Sequence, residues 1–251
     1  MVAEVVPIVD LGTLPAIQVR MWHALLDLSE HLPGQWTLVG GQMVALHAAE
    51  RGVDMGRTTT DVDALLDIRA DGRLFSRADL VLREGLGFSS AVGLGGTQHR
   101  WSKGGVQIDV LIPKVSRALA DARSTLGGVA IQSPGSNQAL SRSRPVELRV
   151  GGRTGLVKRP SLLGAIVSKS AAFSIPKDLA RARHASDIAT LLGMARAEDR
   201  IYDDLTSSDL RYLRRMADRF GSADALKMDE RGQSRVTQYL DAALDTRPTS
   251  Q

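Results

Sequence analysis

The sequence predicts an α+β fold, a mixed sheet with flanking helices followed by a mainly helical carboxyl-terminal lobe, and three observations predict it. The stretch Trp36–Val39 is short and apolar, meets Gly40-Gly41, and then takes up a helical pattern from Gln42. Two further runs, Asp61-Val-Asp-Ala-Leu-Leu and Val106-Gln-Ile-Asp-Val-Leu-Ile, carry the β-branched and apolar residues of buried strands, broken only by acids and one glutamine. Beyond residue 145 a hairpin pattern around Gly151-Gly152 gives way to successive amphipathic stripes.

Taken in order, residues 1–15 carry no usable pattern, and Ile17, Trp22, Leu25, Leu26 and Leu28 place an amphipathic helix over 16–31, ending before Pro33-Gly34. After the strand, the glycine turn and its helix, a polar loop, Arg57-Thr58-Thr59-Thr60, leads into the strand of Asp61 and Asp63. A helix is expected over 73–85, where Leu74, Leu80, Val81 and Leu82 precede Gly85 and Gly87. Residues 88–112 read as strands, with 97–101 pairing against 106–112 across Lys103-Gly104-Gly105, and Pro113 ending the ladder. Helix is expected over 114–128, and the Ser, Gly and Pro of 132–144 read as a loop marking the boundary between a lobe of 1–135 and a basic, mainly helical lobe of 136–251. A hairpin over 146–157 follows. Pro160 then opens a helix to Phe173, another spans 184–195, and two packing helices include Leu210 to Phe220 and 234–244.

The chemistry sits in the acids. Successive strand residues face opposite ways, so Asp61 and Asp63 share one face and can hold the same cation. Asp109 interrupts an apolar strand, where a charge is costly unless paired or metal-bound, and it is the natural third acid. Three carboxylates on neighbouring strands suit two Mg²⁺ ions about 4 Å apart. Gly40 and Gly41 before the helix at Gln42 let a phosphate approach backbone amides at a positive helix end. Arg57 and Thr60 are candidates for contacts to a triphosphate, against the plainer reading of a polar loop. In the second lobe Lys169 lies within the stripe of Leu162, Ile166 and Phe173, and Asp187 shares the face of Leu191 and Met194. A lone Lys on such a stripe snorkels and a lone Asp caps, but opposite charges on consecutive apolar faces point either to a structural ion pair or to a cleft.

Composition bounds the function. Cysteine is absent, so no disulfide framework or thiolate metal site is available, in keeping with a reducing cytoplasm. No apolar run approaches the length of a membrane span and no secretion signal is visible, so a cytoplasmic protein without a membrane partner is expected. The net charge of +4 divides unevenly: residues 1–113 hold 9 Lys and Arg against 13 Asp and Glu, whereas 114–251 hold 23 against 15. Between Arg142 and Arg183 ten basic residues stand with two acids. That asymmetry suits a polyanionic substrate, and equally a solvated surface.

The glycine pair, Asp61-x-Asp63 and a later strand Asp109 resemble the signature of polymerase-β-like nucleotidyltransferases. More narrowly, LVGGQMVALHAAERG followed by RTTTDVDALLDI is similar to the AbiEii/MenT toxins of type IV toxin–antitoxin pairs, over about residues 36–195. The resemblance implies Mg²⁺-dependent transfer of a nucleotide from an NTP to an acceptor, the tRNA 3′ end, and a cognate antitoxin as partner. It also implies active-site roles for Lys169 in PSLLGAIVSK and Asp187 in RHASDIATLL, whereas Arg183 and His184 depart from the family's Lys-Asp. A small-molecule or protein acceptor, and a catalytically silent nucleotide- or RNA-binding module, stand as alternatives.

Overall fold

A computed structural model describes residues 6–53, 61–93, 95–114, 123–175, 181–220 and 228–245. Its larger sheet runs in the order β2 (Trp36–Val39), β3 (Asp61–Leu66), β6 (Val106–Pro113), β5 (Arg100–Lys103) and β4 (Ser89–Ser90). β7 (Ile131–Ser133) pairs with the far end of β6. β3 and β6 are parallel, while β2 and β5 flank them antiparallel, so the sheet is mixed as the pattern predicts. The central position of β6 explains its composition: Val106, Ile108, Val110 and Ile112 are all buried.

One face of this sheet, with Val62, Ala64, Ile108 and Val110, joins the main core. There α1 (Ala16–His31) contributes Met21, Trp22, Leu25, Leu26 and Leu28. The helix over 73–85 is present, as α3 (Leu74–Leu80) running into a wider π turn at Val81–Gly85. The opposite face carries a second, small cluster of Val39, Leu65 and Ala139, with Leu111 and Leu140 against it. Those last alanine and leucine residues belong to α4 (Ser136–Ser141), a helix lying where the sequence reads a loop. A six-residue helix rich in Ser carries no stripe long enough to read, and it persists because its apolar residues cover this face. Gly135, at φ 73°, supplies the turn into it; a Cβ there would strike Ala171 and the backbone of Ser168.

A second sheet joins β1 (Ile8–Asp10), β8 (Ser143–Val150) and β9 (Arg153–Pro160). The hairpin around Gly151-Gly152 is as expected, but β1 is not legible in the sequence, because its three residues are held by parallel pairing with Glu147, Leu148 and Arg149 and by the burial of Val9, both with partners distant in sequence. Two other expectations are corrected. Lys114 and residues 123–128 are not helical, and Arg123 instead bridges Val129 across a turn; residues 115–122 lie outside the described residues. Pro160 closes β9 rather than opening a helix, and Ser161 is the cap, its side chain accepting from the amide of Gly164.

The carboxyl-terminal region is helical: α5 (Leu162–Phe173), α6 (Arg181–Gly193), α7 (Ser207–Ala217) and α8 (Glu230–Asp245). α5 is buried almost all round and packs on α6 and α7. α7 opens with a capping box between Thr206 and Asp209. Arg142, just before β8, reaches the same Asp209 at 2.6 Å and ties α7 to the sheet. No helix among the described residues is long and apolar enough to cross a membrane.

Candidate active site

β3 and β6 assemble the acids. Their parallel register sets Asp63 beside Asp109 and Asp61 beside Gln107, so all three carboxylates rise from one face of the sheet. This is the face of Leu65 and Leu111, and the small core under α4 ends where the acids begin.

Gly40 opens α2 (Gly40–Arg51), two residues earlier than the pattern places it. Its φ is 70°, and a Cβ on it would run into the carboxylate of Asp63. Only glycine therefore lets β2 turn into α2 while keeping the acid against the helix start. Gly41 follows within the first turn. Gln42 is buried and donates to the sulfur of Met21 at 3.0 Å, so its amide points into the core. Arg57 and Thr60 lie outside the described residues.

α5 and α6 close the site from the other side. Lys169 and Asp187 are both buried and meet at 2.7 Å. The same lysine faces a cavity of about 110 Å³ walled by Gly40, Asp63, Ser133, Ser136, Ser168 and His184 among others. The ion pair and the cleft, alternatives in the sequence, are thus one arrangement. The cavity is far smaller than the roughly 300–1,000 Å³ that encloses a whole ligand, so it fits the inner end of a larger site. A hollow of about 450 Å³ beside Arg196, Arg200 and Arg235 is larger, yet none of the acids above lines it.

Electrostatics mark Asp63. Half-buried in surface area but deep beneath its neighbours, it has a carboxyl pushed up to about 6, chiefly by burial and further by Asp109 and Asp61, against the opposing pull of Lys169 and Arg100. Carboxylates that repel one another in this way are the hard oxygen donors Mg²⁺ prefers. They do not form a finished cage: among the described residues no group of three His, Asp or Glu side chains is arranged to hold a metal. Asp109 is engaged instead by Arg100, its two oxygens accepting from Nε and Nη2, each at 2.7 Å. Arg100 is the residue that sequence reasoning misses. Its signal was the hairpin turn at Gly104-Gly105, since once the register is known it falls directly opposite Asp109. Ser133, Ser136 and Ser168 offered no signal at all.

No protein-family model matches the chain, and no curated protein matches it in sequence. Among solved structures it resembles an antigenic nucleotidyltransferase-like protein from Paracoccidioides brasiliensis, with a TM-score of 0.51 and 13% identity over 91% of this chain and 94% of that one. The fold is therefore nucleotidyltransferase-like, as expected from the glycine pair and the acids.

Proposed function

We propose that the protein is a Mg²⁺-dependent nucleotidyltransferase that transfers NMP from an NTP to an RNA acceptor, the tRNA 3′ end, as the toxin of a toxin–antitoxin pair. The observation that carries the transfer chemistry is the register of β3 on β6, which sets Asp63 beside Asp109 with Asp61 on the same face, above Gly40 and Lys169. The RNA acceptor and the toxin role rest on the resemblance of the glycine and acid segments, supported by the basic excess beyond residue 114.

Asp61 and Asp63, with Asp109 completing the acidic set, would hold the Mg²⁺, of which the sequence pattern expects two. When bound, the cation neutralises charge on the triphosphate and polarises the α-phosphate. The chain's own residues do the rest. Gly40 leaves room for phosphate at the first amides of α2, the positive end of that helix. Lys169, fixed by Asp187, faces the charge that collects on the leaving pyrophosphate. The acceptor oxygen bonds to the α-phosphorus, the bond to the bridging oxygen breaks, and its electron pair leaves with pyrophosphate. The acceptor proton passes to the carboxylate set.

Purified protein incubated with each of four α-labelled NTPs and total RNA should label tRNA-sized RNA, and Asp61→Ala should abolish that labelling. Label on an aminoglycoside or on protein with none on RNA would overturn the acceptor. No label anywhere, with Asp61→Ala as growth-inhibitory as the parent on expression, would overturn the transfer chemistry.

A further inference from the structure

The hollow of about 450 Å³ beyond the carboxyl end of α6 has no part in the chemistry above. Leu192, on its wall, stands about 12 Å further along α6 than His184, which borders the acidic cavity. Asp199 pins the turn that forms one side, accepting from the amide of Arg196 at 2.7 Å and from Nη2 of Arg51 on α2 at 2.5 Å. Ile201 and Tyr239 are buried in the wall, and the Tyr239 hydroxyl donates to the carbonyl of Ile201. Tyr202 leans on the Tyr239 ring, centroids 5.3 Å apart, and is still 39% exposed. Among the described residues lining the hollow, three arginines face one acid, Asp203. Arg200 holds φ 50° and ψ 41°, a conformation that glycine adopts more cheaply, and an outlier kept at such a rim points to binding. Arg196 and Arg200 meet Glu198, Asp203 and Asp204 at 3.4–3.9 Å with more than half of each side chain in solvent, and exposed pairs of that kind are weak. Arg235 is exposed and lies across the end of α6, where a Cβ on Gly193 would meet its guanidinium at 2.7 Å.

We propose that this hollow is a second, non-catalytic site that binds one nucleoside monophosphate, its base on Tyr202 and its phosphate between Arg196, Arg200 and Arg235. The volume lies in the range that encloses a small ligand, unlike the inner cavity beside Lys169. An aromatic ring with guanidinium groups beside it is the pairing that holds an unstacked base and its phosphate. Asp203 and the amide of Gln238, also on the wall, offer acceptors to ribose hydroxyls or base amines. The surroundings favour a free nucleotide over a length of RNA. Flanking phosphates would meet Glu198, Asp204 and the negative carbonyl end of α6, whereas a single phosphate can sit between the arginines and avoid them. The inference is independent of the transfer chemistry and of the cations at the acids.

Calorimetric titration of the full chain with AMP, GMP, CMP and UMP, without added metal, tests this without reference to activity. At least one of the four should bind with a Kd below about 1 mM. Arg235→Gln should weaken that binding about ten-fold or more, and Tyr202→Ala about five-fold or more. Both side chains are exposed, so the fold should persist, and Arg196→Gln serves as a further rim variant should either melt early. Asp63→Asn, in the other cavity, should bind the nucleotide as the parent does. Inorganic phosphate and the matching nucleoside should each bind at least about ten-fold more weakly than the nucleotide. Binding by none of the four below about 1 mM, or phosphate binding as tight as the nucleotide's, would overturn the proposal. So would binding that is lost in Asp63→Asn and unchanged in the rim variants, which would put the nucleotide among the acids. Displacement of the bound nucleotide by a short single-stranded RNA at lower concentration than by the nucleotide itself would overturn the free nucleotide as occupant.

Discussion

At the scale of single residues, the site is defined by what Asp63 is made to tolerate. It lies against Gly40, beside Asp109 and within the field of Asp61, and its carboxyl is pushed up to about 6 from the ordinary 3.8. A carboxyl that is harder to ionise in the folded chain than in the unfolded one supports folding while protonated. That support is whole below about 3.8 and is lost as the pH rises through about 6. In metal-free buffer at pH 8, Asp63→Asn should therefore be more stable than the parent by on the order of 2 kcal/mol, with the gap closing on acidification toward pH 4. Thermal melts of both proteins across that range check it, and parallel pH profiles would show that Asp63 is not strained. Added Mg²⁺ should raise the parent's melting temperature more at pH 8 than at pH 5, because the ligand must first lose its proton. Asp61, Asp63 and Asp109 were legible because an acid in an apolar strand violates the strand's own pattern. Arg100 obeyed the pattern of an ordinary exposed strand residue, and only the pairing register discloses its partner. Gln42 shows the converse limit, since its place at the start of α2 was legible but the side to which it turns was not.

Between elements, the decisive contact is α5 on α6. Their stripes were readable because each runs for more than two turns, and the two charges stood out against them. Neither the six-residue α4 nor the three-residue β1 has that length; both are stabilised by partners distant in sequence. The Lys169–Asp187 pair raises a question of cause, whether it locks the two helices together or serves the cavity it borders. Lys169→Met removes the ion-pair partner that the buried Asp187 meets at 2.7 Å and should cost about 3–5 kcal/mol. The double variant Lys169→Met/Asp187→Leu exchanges the pair for apolar packing and should recover most of that stability. Pyrophosphate release should remain abolished in both. A stable double variant that still transfers nucleotide at the parent's rate would reduce the pair to a helix clasp. Denaturant unfolding alongside the transfer assay separates these outcomes.

Across the whole molecule, charge is distributed less simply than the sequence suggests. Of the ten basic residues between Arg142 and Arg183, five are seen in ion pairs among the described residues: Arg142 with Asp209, Arg149 with Glu147, Arg153 with Asp27 and Glu30, Arg159 with Glu50, and Lys169 with Asp187. Apart from Arg149, which pairs within its own strand, their work is to join the second sheet and the helices to the rest of the chain. Cations open to a polyanion include Arg183, next to the cavity residue His184, and Arg214 and Arg215 on the outer face of α7. These three should offer an RNA substrate few phosphate contacts. With roughly three contacts and about 0.7 of a counter-ion released at each, the logarithm of affinity should fall with the logarithm of salt concentration at a slope of about −2. Arg183→Ala should make that slope shallower by a little under 1 and weaken binding about equally for all RNA sequences. Filter binding of labelled tRNA across a salt series measures both. A slope steeper than about −5 would mean that many more cations than these three meet RNA, whereas a flat line would argue that RNA is not the polyanion this surface meets.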